Sequence, residues 1–545
     1  MDFNGQKSTP YIADILHQQG IEHVIICPGS RNAPLTLAFA RHGKFKCLSV
    51  IDERSAGYFA LGLAQSTQNP VVLICTSGTA ALNFAPAVAE AYYQNVPLIV
   101  ITADRPESWI HQQDGQAIPQ RNIYNGFIAA SYFLKGELYH ADDLWFTQRS
   151  INEAFGVAKS TSLPIHINCT FNEPLYNEDY SRIKANTIKF SMPLKSVDII
   201  WAEILTGKNV MVILGQLPEL PELDLILAAK KSLVCIGENL SNSQLVFYNA
   251  SESRFFVKEK PDHIINIGGP IVSKQLKKYI SSLDVPVIRV QTNDQIVDTF
   301  QNTKMIVKMD EVSAFRTLVH HCDMNPCDPE FYNNWMNSTS VAVEKRNAFV
   351  GAAAFSDFTV YNFIASSIPE RSVIHLANST PVRYAQIFND LYKSCAFFSN
   401  RGTSGIDGST STAVGFAYAS DRLNFLISGD LSFQYDANAF FNDHLKGNLK
   451  IIVINNSGGN IFRVIDGPRE LAERNDFFET SRKHEFSNLA KHFKLNYQRV
   501  SSIQELSFAW PEFISISKKP SVLEIFTDAE ISADTFKEFY KYLQQ

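Results

Sequence analysis

Apolar positions along this chain of 545 residues come in short runs, each closed by a polar or conformationally special residue. In the first third the runs are His23 to Cys27, Val71 to Cys75, Pro97 to Thr102 and Pro164 to Cys169; in the last third they are Val373 to Leu376, Leu423 to Ser428, Leu449 to Asn455 and Ser521 to Phe526. Asn209 to Leu214, Leu233 to Ile236, His263 to Ile267 and Val285 to Val290 form a middle group. A continuous β-branched run of this length reads as a strand buried on both faces, and most of these runs precede a stretch with helical periodicity. After Val50-Ile51-Asp52, for example, Ala56, Phe59, Ala60, Leu63 and Ala64 share one helix face. The pattern predicts an α/β chain of three parallel-sheet domains. Polar linkers near 177–195 and 323–350, the second containing Asn325-Pro326-Cys327-Asp328-Pro329, put the domains at 1–180, 190–345 and 350–545.

Composition narrows the class. A hydrophobic share of 45%, with 39 Phe and 20 Tyr, excludes a disordered chain. Forty-nine Lys+Arg against 55 Asp+Glu leave a net charge of −6, without the cationic excess that binding a nucleic-acid backbone requires. The eight cysteines are scattered, mostly in apolar runs, and read as reduced core residues. The start, Met1-Asp2-Phe3-Asn4-Gly5-Gln6-Lys7, has no basic stretch followed by an apolar one, and no apolar run approaches the roughly 20 residues of a membrane helix. A soluble, cytoplasmic protein is expected.

The strongest local signal is a pair of polar clusters at successive strand ends. Gly429-Asp430-Leu431-Ser432 follows Leu423 to Ser428, and Asn455-Asn456-Ser457-Gly458-Gly459 ends the run that starts at Leu449. Carboxyl ends of strands in an open parallel sheet gather over the ligand crevice, so Asp430 and Asn456 are expected to converge. The helix between them is predicted to have Asp436 as cap and Ala437, Phe440, Phe441 and Leu445 on one face. A carboxylate, an amide oxygen and a free carbonyl are the hard oxygen ligands of Mg²⁺, which completes its shell with phosphate and water. At the other end of the chain Glu53 sits at a strand-to-helix turn, where partial burial would raise its carboxyl pKa. Ser77-Gly78 and Ser428-Gly429 each close a strand 26 residues before the end of the next, at Asp104 and Asn455. That echo fits two copies of one fold and equally any two βα units of ordinary length.

Together these segments resemble thiamin diphosphate enzymes, in which a pyrimidine-binding, a middle and a diphosphate-binding domain follow one another. Gly429-Asp430-Leu431 with Asn455-Asn456 is similar to that family's diphosphate motif. The resemblance implies the thiamin diphosphate-binding fold of doubly wound sheets, Mg²⁺ or Mn²⁺ held by Asp430, Asn456 and the Gly458 carbonyl, and Glu53 as the catalytic glutamate on the aminopyrimidine ring. Within the superfamily, Cys27-Pro28-Gly29-Ser30-Arg31, Asp52-Glu53-Arg54-Ser55-Ala56-Gly57, Thr76-Ser77-Gly78-Thr79-Ala80, Thr102-Ala103-Asp104-Arg105-Pro106 and Gln116-Ala117-Ile118 resemble one branch. So do Asn378-Ser379, Asn400-Arg401-Gly402, Gly405-Ile406-Asp407-Gly408, Phe433 and Gly458-Gly459-Asn460-Ile461-Phe462. The branch is the 2-succinyl-5-enolpyruvyl-6-hydroxy-3-cyclohexene-1-carboxylate synthases of menaquinone biosynthesis.

That branch implies decarboxylation of 2-oxoglutarate and 1,4-addition of the resulting carbanion to isochorismate. By the same resemblance Pro28, Gly29, Glu53, Thr76, Ser379 and Gly402 contact the cofactor, as do Gly429, Leu431 and Ser432. Ile406 would hold it bent, and Ile461 and Phe462 would wall the pocket. Ser30, Arg31, Arg105, Gln116, Lys274, Ser379, Arg383 and Arg401 would bind the two dicarboxylates, for which the guanidinium fork is suited. A homodimer or dimer of dimers is implied, with Glu53 of one subunit serving the diphosphate held by Asp430 of its partner. The rivals are a pyruvate-type decarboxylase or acetohydroxy acid synthase, against which the arginines argue, and a non-catalytic thiamin diphosphate-binding sensor, which would not need Glu53. His320-His321 with Cys322 and Cys327 lacks a second ligand pair, so no zinc is expected. Gly268-Gly269-Pro270 lacks the spacing of a dinucleotide loop, so neither flavin nor nicotinamide is expected.

Overall fold

The computed structural model describes residues 5–176, 183–188, 201, 209–222, 233–243, 260–293, 296–324, 328–465 and 468–544. Strands β1 (Gln6–Lys7) and β7 (Glu137–Leu138) make a small antiparallel pair. The first large sheet is built of β2 (His23–Ile26), β3 (Lys46–Ser49), β4 (Val71–Cys75), β5 (Leu98–Asp104), β6 (Ala130–Lys135) and β8 (Ile165–Thr170), in the order β3-β2-β4-β5-β8-β6. The middle sheet has β9 (Val210–Leu214), β10 (Val234–Ile236), β11 (His263–Ile267), β12 (Val287–Gln291) and β13 (Thr303–Lys308), in the order β10-β9-β11-β12-β13. The last contains β14 (Val373–Leu376), β15 (Ala396–Phe398), β16 (Asn424–Gly429), β17 (Leu449–Asn455), β18 (Asn496–Val500) and β19 (Ser521–Phe526), in the order β15-β14-β16-β17-β19-β18. The pairings are parallel, as the apolar runs predict, and β4, β5 and β17 are buried along their whole length.

Counted along the chain within each sheet, the strands of the first and last sheets stand in the same order: second, first, third, fourth, sixth, fifth. The 26-residue echo therefore belongs to a shared topology. In both, the order reverses beside the first strand, which creates a crevice at its carboxyl end.

Packing divides the chain into two compact units. Met1–Pro193, Gly402–Asp421 and Asp436–Leu449 form one, and Leu194–Arg401, Arg422–Tyr435 and Lys450–Gln545 the other. In the first unit the helix Glu53–Thr67 crosses the helix Ser409–Ala419 with backbone against backbone. A Cβ on Gly62 would lie 2.0 Å from the Thr412 carbonyl oxygen, and one on Gly415 would lie 2.1 Å from that of Phe59. Glycine is required at both positions for the approach.

Several expectations need correction. The stretch 323–350, expected as a polar linker, is largely helical: Glu311–Met324 and Pro329–Ala352 are helices, and Phe331, Trp335, Ala342 and Arg346 bury one face of the second. Residues 325–327 lie outside the described residues, as do Met1 to Asn4 and, of the first linker, all but 183–188. His320, His321 and Cys322 fall in the helix Glu311–Met324, whereas Cys327 is not described. Asp436 caps no long helix: only a single turn, Ala437–Phe440, follows it. Its carboxylate is buried and accepts instead from the Ser411 backbone N–H at 2.7 Å and hydroxyl at 2.8 Å, because a fully enclosed carboxylate needs two donors more than a turn needs a cap. Among the described residues no single helix is long and apolar enough to cross a membrane.

Candidate active site

In the first unit the crevice beside β2 gathers the N-terminal candidates. After β2 the chain turns through Cys27-Pro28-Gly29-Ser30, and Asn32 ties the turn down by donating its amide to the Cys27 carbonyl at 2.9 Å. Gly29 faces Thr76 at the end of β4, where a Cβ would come within 2.3 Å of the threonine Cβ. Thr76 Oγ1 accepts from the Arg31 backbone N–H at 3.3 Å. Pro28, Gly29 and Ser30 are exposed above a buried Arg31 and a buried Thr76.

Glu53 opens the helix that follows β3, because Asp52 caps it by accepting from the Ser55 N–H at 3.0 Å. Burial pushes its carboxyl above the ordinary glutamate value, and the charge of Asp52 adds to that. Its own charge is felt at Cys27 and Cys75, whose thiols are raised first by burial, so Glu53 is within electrostatic reach of the ends of β2 and β4.

Arg31 donates to the Phe171 carbonyl at 3.1 Å and pairs with Glu173 at 3.3 Å. Arg105 donates to the Gly115 carbonyl at 2.8 Å and pairs with Asp114 at 2.8 Å. The two guanidiniums are near enough to oppose each other: the Arg31 pKa is lowered by burial first and by Arg105 next. Gln116 lies against Gly78, 3.1 Å from Cα to the position of a glycine Cβ. A buried ladder fixes this side. Gln120 accepts from the Gly78 N–H at 2.7 Å and donates to Asn168 at 3.0 Å, and Asn168 donates to Asp104 at 2.8 Å.

The loop that carries Gly402 and Ile406 belongs to the same unit. Glu90, fully buried on the helix Ala85–Gln94, accepts from the N–H groups of Gly402 at 2.8 Å and Thr403 at 2.7 Å. Tyr58 donates to Asp407 at 2.7 Å. Between these anchors the Ile406 side chain stays 42% exposed, an apolar surface held out of the core.

In the second unit Asp430 begins a short helix at the end of β16. One carboxylate oxygen accepts from the Leu431 N–H at 2.7 Å and the other from the Gly458 N–H at 2.8 Å. Burial pushes its pKa up to about 7; backbone N–H groups oppose the shift and the nearby carboxylate of Asp357 adds to it. Asn456, at the end of β17, donates its amide to Asp357 at 3.0 Å. Gly458 has φ +146° and leaves only 2.7 Å between a Cβ and the Glu479 carbonyl oxygen, so a side chain there is excluded. Its own carbonyl accepts from the Asn460 N–H at 2.9 Å and keeps its second lone pair. The buried Asp430 carboxylate beside the Asn456 amide and the Gly458 carbonyl makes a hard, anionic oxygen set that fits a divalent cation. Beside it, a Cβ on Gly429 would meet no atom within 4 Å, whereas Leu431 is half-buried and Ser432 buried. Ile461 and Phe462 start the next helical turn, and the Phe462 ring lies 5.8 Å from that of Phe478.

The remaining cations lie in the same unit. Arg383 donates to the Ser379 carbonyl, and Ser379 has φ +80° at the start of its helix. Arg401 donates to Asn378 at 2.8 Å, whose amide donates to the Asn400 carbonyl at 2.7 Å. Lys274 is exposed at the start of the helix Lys274–Ser282. One turn on, Lys277 has its pKa lowered by burial, and the charges of Glu238, Arg401 and Lys274 all reach it. Lys274 and Arg401 are therefore both within electrostatic reach of Lys277. Sequence reasoning missed Lys277, which shares this cationic corner, and also Glu90 and Asp357; the last carries only the signal of an ordinary Ser-Asp helix start.

The candidates occupy matching slots of the two like sheets. Pro28 to Arg31 follow the first strand of one sheet, as Ser379 and Arg383 follow that of the other. Glu53 and the pair Arg401 and Gly402 follow the second strands, Thr76 and Asp430 the third, and Arg105 and Asn456 the fourth.

Residues 7–123 match the family described as thiamine pyrophosphate enzyme, N-terminal TPP binding domain; thiamine pyrophosphate is another name for thiamin diphosphate. The chain is also similar over nearly its whole length to proteins named 2-succinyl-5-enolpyruvyl-6-hydroxy-3-cyclohexene-1-carboxylate synthase. It is 37% identical over 555 residues to that of Cytophaga hutchinsonii, with 98% of each chain covered. Identity is 35% over 568 residues with that of Flavobacterium johnsoniae, again 98% of each. With that of Bacteroides thetaiotaomicron it is 33% over 563 residues and 100% of each.

Proposed function

The chain belongs to the family of 2-succinyl-5-enolpyruvyl-6-hydroxy-3-cyclohexene-1-carboxylate synthases, and from that premise we propose that it decarboxylates 2-oxoglutarate and adds the four-carbon fragment 1,4 to isochorismate, a step of menaquinone biosynthesis. Thiamin diphosphate, when bound, supplies the carbon nucleophile and the electron sink for loss of CO₂. The chain's residues bind, orient and move protons around it.

Asp430, Asn456 and Gly458 hold Mg²⁺ or Mn²⁺, and Gly429, Leu431 and Ser432 let the diphosphate approach the backbone. Glu53 exchanges a proton with the aminopyrimidine ring, and burial, which raises its carboxyl, favours the protonated form that can donate. Pro28, Gly29, Thr76, Ser379, Gly402 and Ile406 orient the cofactor, and Ile461 and Phe462 keep water from its reacting face. Arg383, Arg401, Lys274 and Ser379 take the carboxylates of 2-oxoglutarate; Ser30, Arg31, Arg105 and Gln116 take those of isochorismate.

The observation that carries this reading is the presence of two arginine groups, Arg31 with Arg105 and Arg383 with Arg401, because two dicarboxylate substrates need two cationic subsites. Domain limits of 1–180 for pyrimidine binding, 190–345 for the middle domain and 350–545 for diphosphate binding accompany the proposal. So do a cytoplasmic location and a homodimer, or dimer of dimers, in which Glu53 of one copy serves Asp430 of the other.

Purified protein incubated with thiamin diphosphate, Mg²⁺, 2-oxoglutarate and isochorismate should release CO₂ and a product of the summed mass. Turnover of pyruvate with no coupling to isochorismate would overturn the assignment. Chains carrying Glu53→Gln, co-expressed with chains carrying Asp430→Ala and purified as heterodimers, should regain activity because one of the two shared sites in each is then intact; heterodimers as inactive as either parent refute the shared site.

A further inference from the structure

Asp357 opens the helix Asp357–Ser367 and is completely buried. One of its oxygens accepts from the Thr527 hydroxyl at 2.6 Å and the other from the Asn456 amide at 3.0 Å. Its backbone N–H donates to the Ser532 hydroxyl at 3.0 Å, and the Ser532 carbonyl accepts from Tyr384 at 3.2 Å. The C-terminal segment thus holds this carboxylate from one side and Asn456 meets it on the other. A buried carboxylate met by neutral donors is costly to keep, and an apolar residue would fill the same volume more cheaply.

We propose that Asp357 is the positioning residue that makes Asn456 a metal ligand. A side-chain amide has a donor edge and an acceptor edge of nearly the same shape, and only the acceptor edge can face a cation. A carboxylate accepts and does not donate, so Asp357 selects the amide orientation in which N–H points to it and Oδ1 is left on the opposite edge. Thr527 and Ser532 in turn fix Asp357. The inference rests on the proposed cation site at Asp430, and it assigns to Asp357 the task that outer partners of metal ligands perform elsewhere, whose loss typically costs about 10-fold to 100-fold in metal affinity.

The test is calorimetric titration of Mg²⁺ into the metal-free full-length protein at saturating thiamin diphosphate, without turnover. Asp357→Asn should raise the Mg²⁺ Kd by about 10-fold or more, because the new amide satisfies either orientation of Asn456. Asn456→Asp removes the ambiguity, since both of its oxygens accept. In that background Asp357→Asn should no longer weaken Mg²⁺ binding. A merely structural role would lower the melting temperature and cost the same affinity in both backgrounds, which would overturn the inference. If Asp357→Asn fails to fold, Thr527→Val, which keeps the shape and removes one donor to Asp357, should still raise the Kd several-fold, and an unchanged value overturns the inference. Asp430→Ala separates the two levels: unchanged Mg²⁺ affinity there overturns the cation site itself, whereas loss there with none in the Asp357 variants overturns only the positioning role.

Discussion

Asp430→Asn, studied without metal, isolates the electrostatic cost of the cation site. The Asp430 carboxyl is raised from 3.8 to about 7 chiefly by burial. A carboxyl whose folded value lies above its unfolded value keeps its proton in the folded chain after the unfolded chain has lost it. The metal-free fold therefore loses stability as pH rises from about 3.8, and the loss is complete once pH passes about 8. At 1.36 kcal/mol per pH unit the full loss is about 4 kcal/mol.

The asparagine cannot ionise and escapes this loss, but it leaves one of the Leu431 and Gly458 N–H groups facing an amide N–H, a cost of roughly 1–3 kcal/mol at every pH. Melts of EDTA-treated protein between pH 5 and 8 should show the variant near or below the wild type at pH 5. It should then gain on the wild type by about 1.4 kcal/mol per pH unit up to pH 7 and level off above it. Adding Mg²⁺ with thiamin diphosphate should stabilise the wild type and leave the variant nearly unmoved. Wild-type and variant curves that stay parallel across this range would refute the burial argument.

Glu53→Gln should fold and retain thiamin diphosphate yet lose most turnover, read by NMR as slowed exchange of the cofactor's C2 proton; wild-type exchange would remove Glu53 from the chemistry. Arg383→Ala and Arg401→Ala should lower kcat/KM for 2-oxoglutarate on the order of 10-fold to 100-fold, and Arg31→Ala and Arg105→Ala that for isochorismate; equal effects on both substrates would contradict separate subsites. Gly62→Ala should destabilise by roughly 1–3 kcal/mol despite alanine's better helix propensity, because the Thr412 carbonyl 2.0 Å from the new Cβ is backbone and cannot rotate away; an unchanged melting temperature would show that the helices part freely.

The strands that sequence reveals and those that it hides differ in position. Central strands such as β4, β5, β16 and β17 are apolar along both faces and declare themselves. Strands not anticipated include β6, β13 and β18, at sheet edges where residues such as Ser131, Lys304 and Gln498 break the apolar run because one side has no strand to meet, and β15, an apolar edge strand of only three residues. The helix Pro329–Ala352 read as a linker because its buried residues are separated by Asn, Ser and Thr.

At the site the distinction is of another kind. Asp430 and Asn456 are legible because they close successive strands of one sheet. Asp357 and Glu90 are not, since each becomes a buried acceptor only through partners far along the chain: Asn456 lies 99 residues from Asp357, and Gly402 lies 312 from Glu90. No local pattern encodes such a meeting.

The crossing of the helices Glu53–Thr67 and Ser409–Ala419 has a property beyond closeness. Gly62 meets Thr412, three residues before Gly415, and Gly415 meets Phe59, three residues before Gly62. The contact therefore reads the same from either helix, which is the mark of a local two-fold axis through the crossing point. Contacts of that kind ordinarily arise between identical subunits. Here both helices belong to one compact unit of a single chain, so a contact of the kind that dimers make is closed within that unit. A methyl group added on either side should strain the same axis, and drift in one helix is answerable to the other.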